Sequence, residues 1–469
     1  MRINPLLLTT LAAVLLSGCA AVNVGNLPRN RPAVDPATQG PNLLREPSGG
    51  VGETAIGLSF SGGGIRAAAF AHGALKGLNQ LNTQGGKTLL DDVALITSVS
   101  GGSMTAAYYG LHGKASLDTF REAGLLSDGE ADLRLSLVNP VNIARMISGG
   151  MNDRANFQRW LEHDLYRNAT FADIFRRGRP NIWINATDIY HRIAFPFHQR
   201  AFDVLCSDLA SYPVSEAVAA SMAVPLFFAP IVLEKHPEKC RGPLPDWDTQ
   251  AENAKTQPLL MHALAHAARE YRDARAGRYI KLVDGGVADN YGLASIQQTR
   301  LLQGTPYGPL TEGDALRLRN MLFVVVDAGQ GPSGEWNNSL AGPSGIDLAS
   351  ASIDAAMATN VRMSYDSFVQ MVKTWQEDII AYRCQLPAAK QAEVKATQPL
   401  WRCNDVSIVV TRISFESLGP AAATRLGAIP TRLKLPVNDI DDLIKAGEEA
   451  IGRNTVIKAF QSKVSGPTP

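Results

Sequence analysis

An α/β architecture, a mostly parallel central sheet flanked by helices, is predicted by three observations. Short apolar runs recur at residues 56–60, 93–97, 182–186, 280–283 and 321–326. Stretches with helical spacing lie between them, and two of the runs end in glycine-containing turns that lead directly into a helix. Strands buried on both faces read as continuous apolar runs, and parallel neighbours must be joined by crossovers that lie over the sheet.

At the N-terminus, Met1, Arg2 and Asn4 precede an apolar run over residues 6–16 that closes on Leu16-Ser17-Gly18-Cys19. A bilayer crossing takes roughly 20 apolar residues, so residues 1–18 read as a signal peptide and not as fold. The tetrapeptide resembles the lipobox of bacterial lipoproteins, which implies acylation of Cys19 after cleavage; a plain secretory signal is the alternative. Several acyl chains on one residue hold a protein on a membrane durably. Ala20, where an aspartate would otherwise stand, implies an outer-membrane location facing the periplasm. Residues 19–50 carry Pro28, Pro32, Pro36, Pro41 and Pro47 with little apolar periodicity, the composition of an extended tether.

The body is expected from residue 51. Of the 469 residues 45% are hydrophobic and the formal net charge is +1, which allows a large core and gives no electrostatic reason for a nucleic-acid partner. Cys206, Cys240, Cys384 and Cys403 make an even set, which in an exported chain suggests disulfides. Three pairings are possible; joining nearest neighbours closes the shortest loops, and four free thiols are the alternative. Spacing excludes a CxxC metal knuckle, and no metal is expected.

The first apolar run ends at Ser61-Gly62-Gly63-Gly64, ahead of a predicted helix over 65–78. Consecutive glycines at a helix N-terminus leave N–H groups open to a negative oxygen. The second run leads through Ser98-Val99-Ser100-Gly101-Gly102 into a helix at 104–109. Small residues two before and two after Ser100 suit a nucleophile elbow, although Ser98 stands where that pattern has glycine. The run at 280–283 delivers Asp284-Gly285-Gly286 at a strand end. An exposed aspartate titrates near ~3.9 and is a poor base, but burial raises that value. Beyond residue 327 follow a long helical stretch over 348–382, a strand at 406–413 and a helix at 439–453, expected as an extension over 331–469 packed on the domain at 51–330.

Other readings were open at these residues. Gly62, Gly64 and Ala67 also satisfy a dinucleotide fingerprint, but no acidic residue ends the second strand to hold a ribose, and no cofactor is expected. All eight histidines precede residue 267, so the order Ser, Asp, His cannot be built around Asp284. His262 and His266, at i and i+4, could serve with an upstream aspartate or as metal ligands, yet read more simply as ordinary helix side chains.

Gly62-Gly63-Gly64-Ile65-Arg66, Ser100 in its elbow and Asp284-Gly285-Gly286 together resemble the patatin-like phospholipases. The resemblance extends to Gly73-Ala74-Leu75, to Ala220-Ser221-Met222-Ala223-Val224-Pro225 and to Asn290, covering roughly residues 55–327. It implies a three-layer patatin-like fold with a Ser100–Asp284 dyad and no histidine. Gly63 and Gly64 would donate to an oxyanion, with Gly62 shaping the turn and Arg66, Gly102 and Gly286 in support. For Arg66, contact with a headgroup phosphate is one reading of that support. The implied activity is hydrolysis of phospholipid or another acyl-ester lipid, of phospholipase A or lysophospholipase type. A lipid-binding or structural lipoprotein without catalysis is the alternative.

Overall fold

The computed structural model describes residues 25–33 and 51–466, except 137, 155, 241, 246, 249–257, 332–334, 339 and 344. The signal peptide and Cys19 lie outside the described residues. Strands β1 (Thr54–Phe60), β2 (Val93–Val99), β3 (Asn181–Asp188), β4 (Ile193–Phe197), β5 (Ile231–Glu234), β6 (Tyr279–Asp284), β7 (Asn320–Asp327) and β8 (Ser407–Ser414) form one sheet. Its order is β5-β6-β3-β2-β1-β7-β8, with β4 laid against β3.

Strands β3, β2, β1, β7 and β8 run parallel. Their alternation feeds two cores: β7 sends Leu322, Val324 and Val326 to one face and Met321, Phe323 and Val325 to the other. The first core is covered by helices α1 (Gly64–Gln80), α2 (Gly101–His112) and α7 (Val437–Arg453), joined at the sheet margins by α4 (Val214–Ser221) and α5 (Leu259–Arg272), whereas α3 (Pro140–Ile147) adds no residue to it. The second is covered by α6 (Gly345–Cys384), whose Phe368, Val372, Trp375 and Ile379 recur at helical spacing and are buried against Phe323. Small residues let α1 and α7 touch, since a Cβ on Gly73 would overlap the Ile444 carbonyl and one on Gly447 would overlap that of Phe70. The C-terminal residues thus supply both an edge strand and a covering helix. Among the described residues, no helix is long and apolar enough to cross a membrane.

Three departures from the sequence reading bear on function. First, β6 is antiparallel to both β3 and β5, not a member of the parallel set. An apolar run announces a strand but not its direction. Second, β4 and β5 went unforeseen. Four residues separate β3 from β4, too few for a crossover, so β4 must return as a hairpin. Third, residues 25–33, inside the stretch expected as an extended tether, lie on the body. Asn26 donates to the carbonyls of Ala229 and Pro230, at 3.2 and 3.0 Å, and Asn30 exchanges hydrogen bonds with the Glu234 backbone at 2.8 and 2.9 Å. Arg29 pairs with Glu162 at 2.6 Å.

Sulfur bonds join Cys206 to Cys240 and Cys384 to Cys403. The first closes a separation of 34 residues and the second one of 19. Replacing Cys206 and Cys240 together by serine is expected to lower stability by about 3–4 kcal/mol, read as a reduced urea midpoint.

Candidate active site

The two strands that carry Ser100 and Asp284 meet end to end along one edge of β3. Strand β2 pairs with β3 over Asn181 to Asn185, and β6 pairs with it over Ala186 to Asp188. Strand β4 spans both intervals, over Ile184 to Asp188, and so occupies the opposite edge. β2 and β6 therefore share the remaining edge and approach from opposite directions. Val99 lies opposite Asn185 and Asp284 opposite the next residue, Ala186. Ser100, one residue beyond Val99, is thereby brought beside Asp284 although 184 positions separate them in the chain.

Ser100 has φ 49° and ψ −124°, left-handed values that cost energy in any residue with a Cβ and are held here by the surrounding packing. It stands at the N-terminus of α2 and is almost fully buried. Its N–H donates to Ser221 Oγ at 2.8 Å, and that hydroxyl donates to the Asn185 carbonyl at 2.6 Å. The following glycines are required by proximity: a Cβ on Gly101 would overlap the Gly64 backbone, and one on Gly102 would come to 2.6 Å from the Ser61 carbonyl. Ser98, the departure from the elbow pattern, fits without conflict. Its hydroxyl donates to the Trp183 carbonyl at 3.2 Å and accepts from Ser103 at 3.1 Å.

The glycine turn before α1 lies against this elbow. A Cβ on Gly62 would be 3.2 Å from the Ser100 Cβ. Gly63 and Gly64 adopt φ 136° and 59°, which suit glycine. The Gly62 N–H is taken by the Asn290 carbonyl at 3.1 Å and that of Ile65 by the Arg432 carbonyl at 2.8 Å. Among the described residues nothing accepts from the N–H of Gly63 or Gly64. Two open donors therefore lie at the start of α1 beside a hydroxyl at the start of α2, where both helix dipoles favour negative charge.

Arg66 does not face outward. It is buried, its Nε donating to the Ala328 carbonyl at 3.0 Å and its Nη1 to that of Ile429 at 2.5 Å. Burial lowers its pKa to about 10, against the opposing pull of Asp327. Its observed task is to pin the glycine turn to the end of β7 and to the loop at Ile429, not to reach a phosphate.

Asp284 is buried, and that burial raises its pKa to about 6, opposed by the Gly286 N–H and the Ser100 hydroxyl. Its Oδ1 accepts from Gly286 N at 2.8 Å, while Oδ2 makes no hydrogen bond in this resting geometry. Gly286 leaves little room for a side chain, since a Cβ there would come to 2.7 Å from Asn290 Oδ1 and 3.0 Å from Asp284 Oδ1. The Asp284 main chain is held from both sides: its N–H by the Ala223 carbonyl at 2.9 Å and its carbonyl by the Thr187 hydroxyl at 2.9 Å. None of the eight histidines hydrogen-bonds to Ser100 or Asp284 in the described structure. His266 lies 3.7 Å from Glu270, and His262 is on the same helix α5.

Sequence reasoning gave no role to Ser221, Asn185 or Thr187. Ser221 falls in the family-like segment 220–225, a signal that was visible without its meaning. Asn185 and Thr187 sit in an apolar strand with no motif to single them out.

A family model described as patatin-like phospholipase matches residues 58–295, half of the chain, and the chain belongs to that family. Human GIVD cytosolic phospholipase A2 is similar in structure at 12% identity and a TM-score of 0.39, over 87% of this chain and 62% of that one. VipD from Legionella pneumophila is similar at 13% identity and a TM-score of 0.28, over 91% of this chain and 71% of that one. No curated protein matches the sequence.

The contact between the two turns is open to test. Gly101→Ala must push the elbow from the Gly64 backbone, and is expected to cost about 3 kcal/mol in denaturant unfolding, with loss of Ser100 labelling by a fluorophosphonate.

Proposed function

We propose that the protein is a lipid acyl hydrolase of phospholipase A or lysophospholipase type, using Ser100 as nucleophile and Asp284 as its base. One observation carries this reading: a buried carboxylate with its pKa raised to about 6 lies beside a strained serine where two helix N-termini meet. In acylation, Ser100 Oγ attacks the ester carbonyl while Asp284 takes its proton. The N–H groups of Gly63 and Gly64 stabilise the oxyanion, and the leaving alcohol departs with the proton from Asp284. Water, deprotonated by the same carboxylate, then attacks the acyl-serine and releases the fatty acid.

Lipid as the substrate class is supported by an inverted helix near the site. In α3 the buried side chains are Asn142 and Arg145, while Val141, Ile143 and Ile147 are exposed. Val138 ahead of it is 88% exposed and Ile147 is 79% exposed. The chain after α3 pairs with the loop after Ala223, through Met151 N to the Leu226 carbonyl and Asn152 N to that of Phe227, both at 3.0 Å. Leu226 and Phe227 are exposed as well, and Ala223 holds the Asp284 N–H. An apolar rim starting at the base is suited to extracting an acyl chain from a lipid surface. Acyl chains on Cys19, inferred from the lipobox-like Leu16-Ser17-Gly18-Cys19, would hold this rim near an outer-membrane leaflet. The accommodation of Ser98 speaks against a silent binding protein.

Ser100→Ala and Asp284→Asn are expected to lose at least about a thousandfold in hydrolysis of phospholipid and of p-nitrophenyl esters. Undiminished turnover in either variant would refute the dyad. Because the base acts as carboxylate, the acylation rate should rise with pH through about 6 and then level off. The folded-state pKa lies above the unfolded value, so ionisation destabilises the fold as pH rises from about 4 to about 6, and the cost is fully present above that. Asp284→Asn should therefore stabilise the protein at neutral pH, by up to about 3 kcal/mol, while abolishing activity. Ile147→Asp with Phe227→Asp should depress hydrolysis of vesicles at least about tenfold and leave soluble short esters nearly unaffected.

A further inference from the structure

We propose that His191, His266 and Glu270 form a zinc site outside the Ser100 pocket. His266 and Glu270 are four residues apart on α5 and so share one helix face. His191 comes to that face from the turn between β3 and β4. Its Nε2 lies 3.0 Å from one Glu270 oxygen, and His266 Nε2 lies 3.7 Å from the other. A tetrahedral ion with bonds of about 2.0 Å sets its ligand atoms roughly 3.3 Å apart, a spacing the His191–Glu270 pair nearly has and His266 would reach by a small turn of its ring. All three donor groups have ligand atoms within 4.8 Å of one another.

The support behind His191 is an independent observation. Asp188, fully buried at the end of β3, takes His191 Nδ1 at 2.6 Å and the Tyr271 hydroxyl at 2.6 Å on the same oxygen. Its other oxygen takes the N–H groups of Tyr190 and His191, at 3.0 and 3.2 Å. A carboxylate on Nδ1 places the proton there, fixes the ring and turns the Nε2 lone pair outward, as behind zinc-bound imidazoles. A neutral ring in that tautomer would set Nε2 and the Glu270 oxygen against each other as two lone pairs, a conflict that either a second proton or a cation between them removes. Lys235 does not supply it with a side-chain hydrogen bond, since its ammonium donates to the main-chain carbonyls of Glu270, Asp273 and Ala276. Two imidazoles and a carboxylate suit zinc, and the 69% exposure of His266 leaves a fourth position to water.

The place of this site in the fold sets it on the far side of β3 from the Asp284 main chain. Thr187 turns its hydroxyl to the Asp284 carbonyl, so Asp188, the next residue, points to the other face of the sheet. A metal there would clamp α5 to the strand that lies against β6.

The test uses the tag-free chain, stripped with EDTA, loaded with zinc chloride, gel-filtered and assayed for metal by atomic emission. Retention of roughly one zinc per chain is expected, with a higher Tm than the stripped protein. His266→Ala and Glu270→Gln change exposed or half-buried groups and should fold; both should bind zinc at least about tenfold more weakly. Their circular dichroism and Ser100 labelling should be unchanged, which separates this site from the dyad. A parent chain that retains no zinc, or a His266→Ala variant that retains as much as the parent, would overturn the proposal and leave a second proton on His191 in the place of the metal.

Discussion

The constraint on which the site depends is the length of β3 relative to its neighbours on one edge. β2 uses that edge only as far as Asn185, and the three residues beyond it remain open to a second partner. β6 fills the vacancy head-on. A parallel sheet alone would bring every strand end to the same rim, several ångströms apart, with loops to close the distance. Two strands abutting on a third fix a serine and an aspartate through backbone pairing, which is stiffer than any loop. The hydrogen bonds of Thr187 and Ala223 to the Asp284 main chain add to that rigidity.

Close approach then does the rest. The glycine turn and the elbow touch through backbone, so the helices behind them converge on one small volume and exclude water from it. The exclusion of water makes the Asp284 carboxylate more basic, and the same exclusion makes ionisation costly for the fold. The left-handed Ser100 is a second strain at the same place. Both are offset by the two large cores that grip β1, β2 and β7 from either side.

Much of this was legible in the sequence because glycines and strand ends leave marks. Gly62 to Gly64, Ser100 and Asp284 stood at ends of apolar runs, and those runs became β1, β2 and β6. The direction of β6 was not legible, because an apolar run looks alike read either way along a sheet. Ser221 was hidden for another reason: its role is to receive one N–H from a residue 121 positions away, and a serine at the end of an alanine-rich helix looks like filler. Arg66 was visible as a charge but not as a buried staple, since its partners are carbonyls, which carry no sequence signature. Asn26 and Asn30 had the composition of a loop, and only the backbone they pair with makes them part of the body.

The docking of those two asparagines sets the reach of anything attached at Cys19. Only residues 20–24 separate it from Gly25, a span of at most about 20–22 Å even when fully extended. Asn26 is fastened beside Ala229 and Pro230, just past the loop that bears Leu226 and Phe227. Acyl chains on Cys19, as proposed above, would therefore sit on a short leash that starts from the end of the body carrying Leu226 and Phe227.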